Sequence, residues 1–353
     1  MNKTDDNSLS ITSRAEKLLW RYGWNTMCWQ TLNPELTLWF SENKEGVIAF
    51  TRHRNLIVTV GAPITAPENL LSFMREFEAY AKKEKLSVCY FAAEERLRKI
   101  LSGESGYSAM ILGAHPVWNP GNWKTNKSIT ELIRYARRRK VIIQETLPEN
   151  INDPDYRECL IDWLKKRKLP ALGFLVNPPI LTNIQGKKIL TARQNGKVTA
   201  FLILSPVPKR NGWLIEHIIR GKNTVKGTCE LLVDEAMRLA VKSGSCHATL
   251  GLAPLSQRAE ISYCENPYWV RGFFKWLYMF AGGFYNFKGL DYFKAKFKPS
   301  SWEPVYAIIN KSGFSPITLY DIAGAFCRMS PFKFLTLGIL RLIFEQSGGI
   351  EGA

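Results

Sequence analysis

The sequence has no C-x-x-C pair, and its four histidines, His53, His115, His217 and His247, are too scattered to complete a zinc pattern. Its seven cysteines are an odd number at wide spacing, so they read as small apolar side chains in a reducing compartment rather than as a disulfide framework. No uninterrupted apolar run reaches the ~20 residues that a membrane-spanning helix needs. The opening residues, MNKTDDNSLS, are polar and hold no apolar signal-peptide core. Low-complexity tracts and strict repeats are also missing, which argues against a solenoid. The expectation is a globular chain, soluble or peripheral to a membrane.

Acidic side chains are scarce as well. Lys and Arg number 48 against 31 Asp and Glu, a net charge of +17, which implies an anionic partner: nucleic acid, a membrane surface or a phosphorylated substrate. The excess is one-sided. Residues 1–123 carry a net charge of +1 and the remainder carries +16. Three stretches concentrate it: 124–140 at +6, 157–168 at +3 and 271–298 at +5. With 353 residues, 46% of them hydrophobic, the chain is long enough for two domains, or for one built by duplication.

The hydrophobic pattern gives a mixed α/β reading. Strands are expected at 46–50, 55–60 and 87–91, with an amphipathic helix over 68–85 and a shorter one over 94–101. Residues 113–127, rich in Pro, Gly, Asn and Trp, read as a connection between domains. Ser128 to Glu131 has the S-x-x-E form of a capping box, and the helix it opens carries Arg134, Arg137 and Arg138 along one edge. Strands are expected at 187–190 and 197–204 around the turn Asn195-Gly196, and again at 213–220, 246–252 and 304–310. Helices are expected over 227–242 and 286–298. The order of elements in 46–101 echoes that in 197–310. Residues 331–344 are apolar with Lys333 and Arg341 inside, which fits either a helix packed on the body or an interfacial helix.

The strand–loop–helix–strand unit at 213–252 resembles the core of GNAT-type acyltransferases. The loop from Gly221 to Thr228 keeps only Gly227 of that fold's phosphate loop, which argues against coenzyme A. Further residues resemble the catalytic domain of bacterial aminoacyl-phosphatidylglycerol synthases, the lysyl-phosphatidylglycerol synthases or multiple peptide resistance factors. They are Leu250-Gly-Leu-Ala-Pro-Leu-Ser256, the stretch from Tyr285 to Pro299, Trp302-Glu-Pro304, Tyr306 and, in the first half, Val58-Thr-Val-Gly-Ala-Pro-Ile64. The likeness runs over about residues 15–310.

That resemblance implies a tandem of two GNAT-like lobes joined by a basic helix: 1–120, then 121–312 with the linker helix at 128–140, and a tail at 313–353. It also implies transfer of an aminoacyl group from aminoacyl-tRNA to a lipid hydroxyl, with phosphatidylglycerol as the leading acceptor. The donor is already an activated ester, so no nucleotide cofactor and no metal is called for. A stand-alone module of this kind is expected in the cytoplasm, peripheral to the inner face of the cell membrane, with tRNA and anionic phospholipid as partners. Where the family has D-L-M-R, this chain has His217-Ile-Ile-Arg220, preceded by Glu216. Arg220 carries over, and either Glu216 or His217 stands in for the aspartate. In an unbroken strand Glu216 and Arg220 share one face and His217 points to the other. Lys294 and Lys296 match the family's F-K-x-K-F, Lys294 as a catalytic cation and Lys296 as a phosphate contact. Ser256, Lys288, Arg134, Arg137 and Arg138 complete the substrate-binding candidates. Two other readings fit the residues: a GNAT-type N-acyltransferase acting on a non-lipid amine, and a non-catalytic relative that binds RNA or membranes.

Overall fold

A computed structural model describes residues 3–43, 45–165, 180–181, 184–259, 266–280 and 286–327. The tail segment 331–344 and Tyr285 lie outside these. The first half contains α1 (Lys3–Tyr22), β1 (Thr37–Phe40), β2 (Gly46–His53), β3 (Leu56–Val60), β4 (Ile64–Thr65), α2 (Leu70–Lys83), β5 (Ser87–Glu94), α3 (Glu95–Leu101) and β6 (Ser108–Trp118). The second contains α4 (Lys127–Arg138), β7 (Ile142–Thr146), α5 (Pro154–Lys165), β8 (Lys188–Gln194), β9 (Lys197–Val207), β10 (Gly212–Arg220), α6 (Thr228–Lys242), β11 (His247–Thr249), β12 (Ala253–Pro254), α7 (Tyr268–Phe280), α8 (Phe287–Ala295), β13 (Ser301–Ile309) and α9 (Pro316–Cys327).

The described strands form one mixed sheet in the order β1-β2-β3-β5-β13-β6-β11-β10-β9-β8-β7, with β4 beside β2 and β12 beside β6. Each half repeats one unit: an antiparallel hairpin, a crossover helix, then a strand parallel to the hairpin's second arm. In the first half this is β2-β3-α2-β5, and in the second β9-β10-α6-β11. The last strands are exchanged. β6, made by the first half, pairs with β11, while β13, made by the second, lies between β5 and β6. Residues 113–118 are therefore a central strand rather than a linker. Pro116 is tolerated because β11 reaches β6 only at Val117 and Trp118 and β12 only at Gly113 and Ala114.

Helices cover both faces, which buries the sheet's apolar side chains twice over. On the second half, α4 and α6 pack Ile129, Ile133, Leu231 and Met237 against Leu190, Ala200, Leu202 and Leu204. The opposite face packs Tyr156 and Cys159 of α5 against Ile189, Phe201, Ile203 and Ile219. The β8–β9 turn has Asn195 at φ 51° and Gly196 at φ 80°, as a two-residue hairpin demands. The cap of α4 differs from the expected box. Asn126 accepts from the Ile129 amide at 3.1 Å and donates to the Lys296 carbonyl at 2.7 Å, while Ser128 only supports it. A cap that also grips a neighbouring helix satisfies two orphan groups at once.

Candidate functional site

β10 and β11 part early. They pair only over Gly212↔His247, Trp213↔Ala248 and Leu214↔Thr249, while β10 continues on β9 as far as Arg220↔Ala200. From Ile215 onward, the β11-facing edge of β10 has no strand partner among the described residues. The resulting wedge has, along its β10 side, backbone amides and carbonyls without a ladder partner among the described residues, which are strong hydrogen-bonding groups.

A β-bulge sits at the start of this wedge. Ile215 pairs with Leu204 and His217 with Ile203, leaving Glu216 as the extra residue. Directly opposed residues share a face. Ile203 belongs to the α5 layer and Ala200 to the α4/α6 layer, so His217 lies on the first face and Arg220 on the second. This overturns the unbroken-strand expectation. Glu216 turns toward Ser205 on the α5 face and brings Oε1 to 3.7 Å from His217 Nε2, while Arg220 lies across the sheet.

The Glu216 side chain is buried and fully engaged. Ser205 Oγ and Gln30 Nε2 donate to it, and Lys187 Nζ donates at 2.9 Å. Burial pushes its carboxyl upward, but the Lys187 charge, His217 and the hydrogen bonds outweigh that and hold it below the usual carboxylate range. A carboxylate kept charged and saturated with donors suits orientation better than proton transfer. His217, only 10% exposed at its side chain, is the titratable partner that it faces.

Across the sheet, Arg220 is exposed at the mouth of the loop leading to α6. Its charge and that of Lys296 both act on Cys229, whose thiol burial pushes up to about 11 with Glu230 adding to the rise. Lys296 donates to Glu230 and lies 4.1 Å from the Phe293 ring centroid. Gly227 starts α6 at φ 88°, and a Cβ there would meet the Leu132 carbonyl of α4 at 2.1 Å. The N-terminus of α6 thus has α4 against it and its own Glu230 in the first turn, a poor seat for a pyrophosphate. Arg134, Arg137 and Arg138 are exposed on α4, with Arg137 donating to Glu235 at 3.0 Å.

Lys294 is placed differently from its neighbours. It is buried, and Nζ donates to the Gly251 and Leu252 carbonyls at 2.8 and 2.7 Å. Burial lowers its pKa to about 7, partly opposed by Asp291. It pins the segment that leaves β11 at the wedge. Ser256 donates to Asp291 at 2.7 Å, and Arg258 grips the other oxygen of that carboxylate at 2.8 Å. Lys288 is exposed at the start of α8.

A second polar cluster was missed in the sequence, although Trp302-Glu-Pro304 pointed at one member. Arg210 holds Glu303 through two bonds of 2.8 and 2.6 Å and reaches Glu94 at 3.3 Å. His115 lies 3.3 Å from Glu303, its cross-strand neighbour. Glu94, His115 and Glu303 have ligand-type atoms within 4.8 Å of one another, yet the guanidinium already binds both carboxylates and occupies a cation's place. Hydrogen bonds from His115 and Arg210 overcome burial and hold Glu303 well below the usual carboxylate range. Burial, then Arg210, lowers His247 to about 3. The cluster ties the two exchanged strands together at the centre of the sheet.

Against this geometry, a family profile described as phosphatidylglycerol lysyltransferase, C-terminal, matches residues 16–309. A phosphatidylglycerol lysyltransferase of Bacillus subtilis is 21% identical over 292 residues, 80% of this chain and 33% of its own length. The chain thus spans about a third of the length of the curated relatives it matches. Among solved structures, the C-terminal domain of a candidate lysylphosphatidylglycerol synthetase from Agrobacterium fabrum superposes with a TM-score of 0.76 at 18% identity, covering 91% of this chain and 98% of that one. L-PGS from Bacillus licheniformis gives 0.70 at 19%, covering 90% and 97%. These likenesses fix the fold.

Proposed function

This chain belongs to the phosphatidylglycerol lysyltransferase C-terminal family, and from that premise we propose that it transfers an aminoacyl group from aminoacyl-tRNA to a lipid hydroxyl, phosphatidylglycerol first among acceptors. The observation that carries this reading is the wedge between β10 and β11, opened at the bulge that brings Glu216 and His217 together. Residues 1–120 and 121–312 act as GNAT-like lobes of unequal role, with the wedge in the second.

In this reading the ester carbonyl of the charged tRNA lies in the wedge. His217, oriented by the Glu216 carboxylate, takes the proton of the lipid hydroxyl as its oxygen attacks the carbonyl carbon. Backbone amides of the wedge stabilise the tetrahedral oxyanion. The bond to the ribose oxygen then breaks, and His217 returns the proton to that oxygen. Arg220 and Lys296, with Arg134, Arg137 and Arg138 of α4, hold RNA phosphates on the opposite face. Lys294 sets the mouth of the wedge, and Ser256, through Asp291, sets the loop beyond it. The seat at α6 argues for a tRNA ester rather than coenzyme A as donor. The enzyme works at the membrane surface in this scheme, although none of the described helices is long and apolar enough to cross a bilayer.

The test is direct. Purified chain, a panel of charged tRNAs and vesicles containing phosphatidylglycerol should yield an aminoacylated lipid, read by mass spectrometry. No product above background with any tRNA or any lipid acceptor would sink the proposal.

A further inference from the structure

The helix α7 has a composition unlike the others. Its residues, Tyr-Trp-Val-Arg-Gly-Phe-Phe-Lys-Trp-Leu-Tyr-Met-Phe, contain seven aromatic side chains, two basic ones and no acid. Val270 and Phe274, one turn apart, are buried in a core layer shared with Leu255, Ile322 and Ala325. Trp269, Phe273 and Trp276 follow the i, i+4, i+7 spacing of a second stripe and are 40%, 40% and 52% exposed. Tyr268, at the helix start, is 87% exposed, and Arg271 packs its guanidinium 4.2 Å from that ring's centroid. Phe273 and Trp276 stack at 6.2 Å. Lys275 is exposed on the same helix.

Exposed tryptophans are costly in water. They are favoured where one side of a ring meets hydrocarbon and its edge meets polar head groups. Arg271 and Lys275, one turn apart on the other flank of the helix, with no acid on the helix, complement an anionic surface and not a cationic or neutral one. The neighbouring helices continue the character: Tyr292 of α8 is 72% exposed and Ile317 of α9 is 63% exposed. Helix α8 also carries Lys294, which holds the wedge segment.

The geometry points to α7 as the element that docks this chain on an anionic lipid bilayer, its Trp269/Phe273/Trp276 stripe inserted among head groups and Arg271 and Lys275 on lipid phosphate. This deepens the function proposed above by giving the lipid surface a place on the molecule, and it rests on that reading only for the identity of the acceptor. It makes the chain bind the bilayer from which the acceptor is drawn, with α8 joining the docked face to the wedge.

Sedimentation with vesicles tests this without reference to catalysis. The wild type should co-sediment with vesicles of phosphatidylglycerol and phosphatidylcholine, and much less with phosphatidylcholine alone. The pair Trp269→Ser and Trp276→Ser should weaken partitioning about tenfold or more, because both rings leave the interface. The pair Arg271→Glu and Lys275→Glu should remove the preference for anionic vesicles. Thermal melts of the tryptophan variant and of Lys275→Glu alone should match the wild type, since Trp269, Trp276 and Lys275 are exposed, and Lys275→Glu alone should already weaken the preference for anionic vesicles. Vesicle binding unchanged in the tryptophan variant, or no binding by the wild type, overturns the docking role. So does a dimer that Trp276→Ser dissolves, because a second copy then covers the stripe. Transfer to detergent-dispersed phosphatidylglycerol separates the two proposals. Its presence without vesicle binding removes the docking role alone, and vesicle binding with no transfer to any acceptor removes the transferase reading alone.

Discussion

The two halves run the same course and end differently at their parallel seams. In the first, β3 and β5 pair over five positions, from Leu56↔Ser87 to Val60↔Phe91, and the Gly61 amide extends the seam to the Phe91 carbonyl at 2.6 Å. In the second, β10 and β11 pair over three and separate at a bulge. The closed seam leaves no bare strand edge for a substrate, and its half of the chain is nearly neutral. The open seam sits in the half that carries +16. Duplication of a unit therefore does not duplicate its ladder. The first half keeps its parallel seam intact, and the second gives up ladder bonds along β10.

The largest expected effect separates the two seams by activity. His217→Ala and Arg220→Ala should each lower transfer about 10²-fold or more, the usual cost of removing a general base or a charged substrate contact, and loss of the exposed Arg220 should leave the melting temperature unchanged. Arg52→Ala, on the hairpin of the first half, should leave the rate unchanged. Near-full activity in either β10 variant would remove the distinction between the seams.

A smaller effect concerns stability. Lys294 has a folded pKa of about 7, below its value of about 10.4 in an unfolded chain. Between those values the unfolded chain binds a proton that the folded chain does not, so stability from this residue rises with pH through the window. The gain is on the order of 4 kcal/mol across it. Urea unfolding at pH 7 and pH 9.5 should show this slope in the wild type and its loss in Lys294→Met. The same slope in both would mean that the buried amine is not the titrating group. The smallest effect is electrostatic. Changing Arg134, Arg137 and Arg138 together to Gln should reduce the salt slope of tRNA affinity by about 0.9 per lost phosphate contact. The same change at Lys82, Lys83 and Lys85 in the first half should leave the slope as it was.

Much of this fold was legible in the residues, for identifiable reasons. The Asn195-Gly196 turn, the amphipathic pattern of α2 and the strand β3 follow local rules that tertiary packing did not override, while β5 runs to Glu94, three residues past the expected end, because β13 pairs along it. The transferase family was legible from the spaced aromatics and lysines of 285–306. The site was harder to read. Alternation along β10 predicts faces correctly only in an unbroken strand, and one inserted residue at Glu216 moves His217 to its side and leaves Arg220 opposite. Lys294 and Lys296 sit two apart in one motif, yet one is buried on carbonyls and the other pairs with Glu230. Nothing in the spacing distinguishes them. Gln30, Lys187 and Ser205 meet Glu216 from three separate segments, a convergence that only the folded chain creates. Residues 113–118 look like a loop because Pro116 and Gly113 weaken the strand signal, and the partner that makes them a strand is β13, far along the chain.

That exchange of last strands has a consequence for how the molecule comes into being. β5 and β6 leave the ribosome early, but the strand that fits between them ends at Ile309. Until it arrives, the first half holds an unfilled slot between two strand edges that are ready to pair with any extended segment nearby. The halves therefore cannot be matured one after the other, and loop closure over most of the chain has to precede the final ladder. Late locking is built into that connectivity, and deletion of β13 is expected to unfold both halves together in one transition.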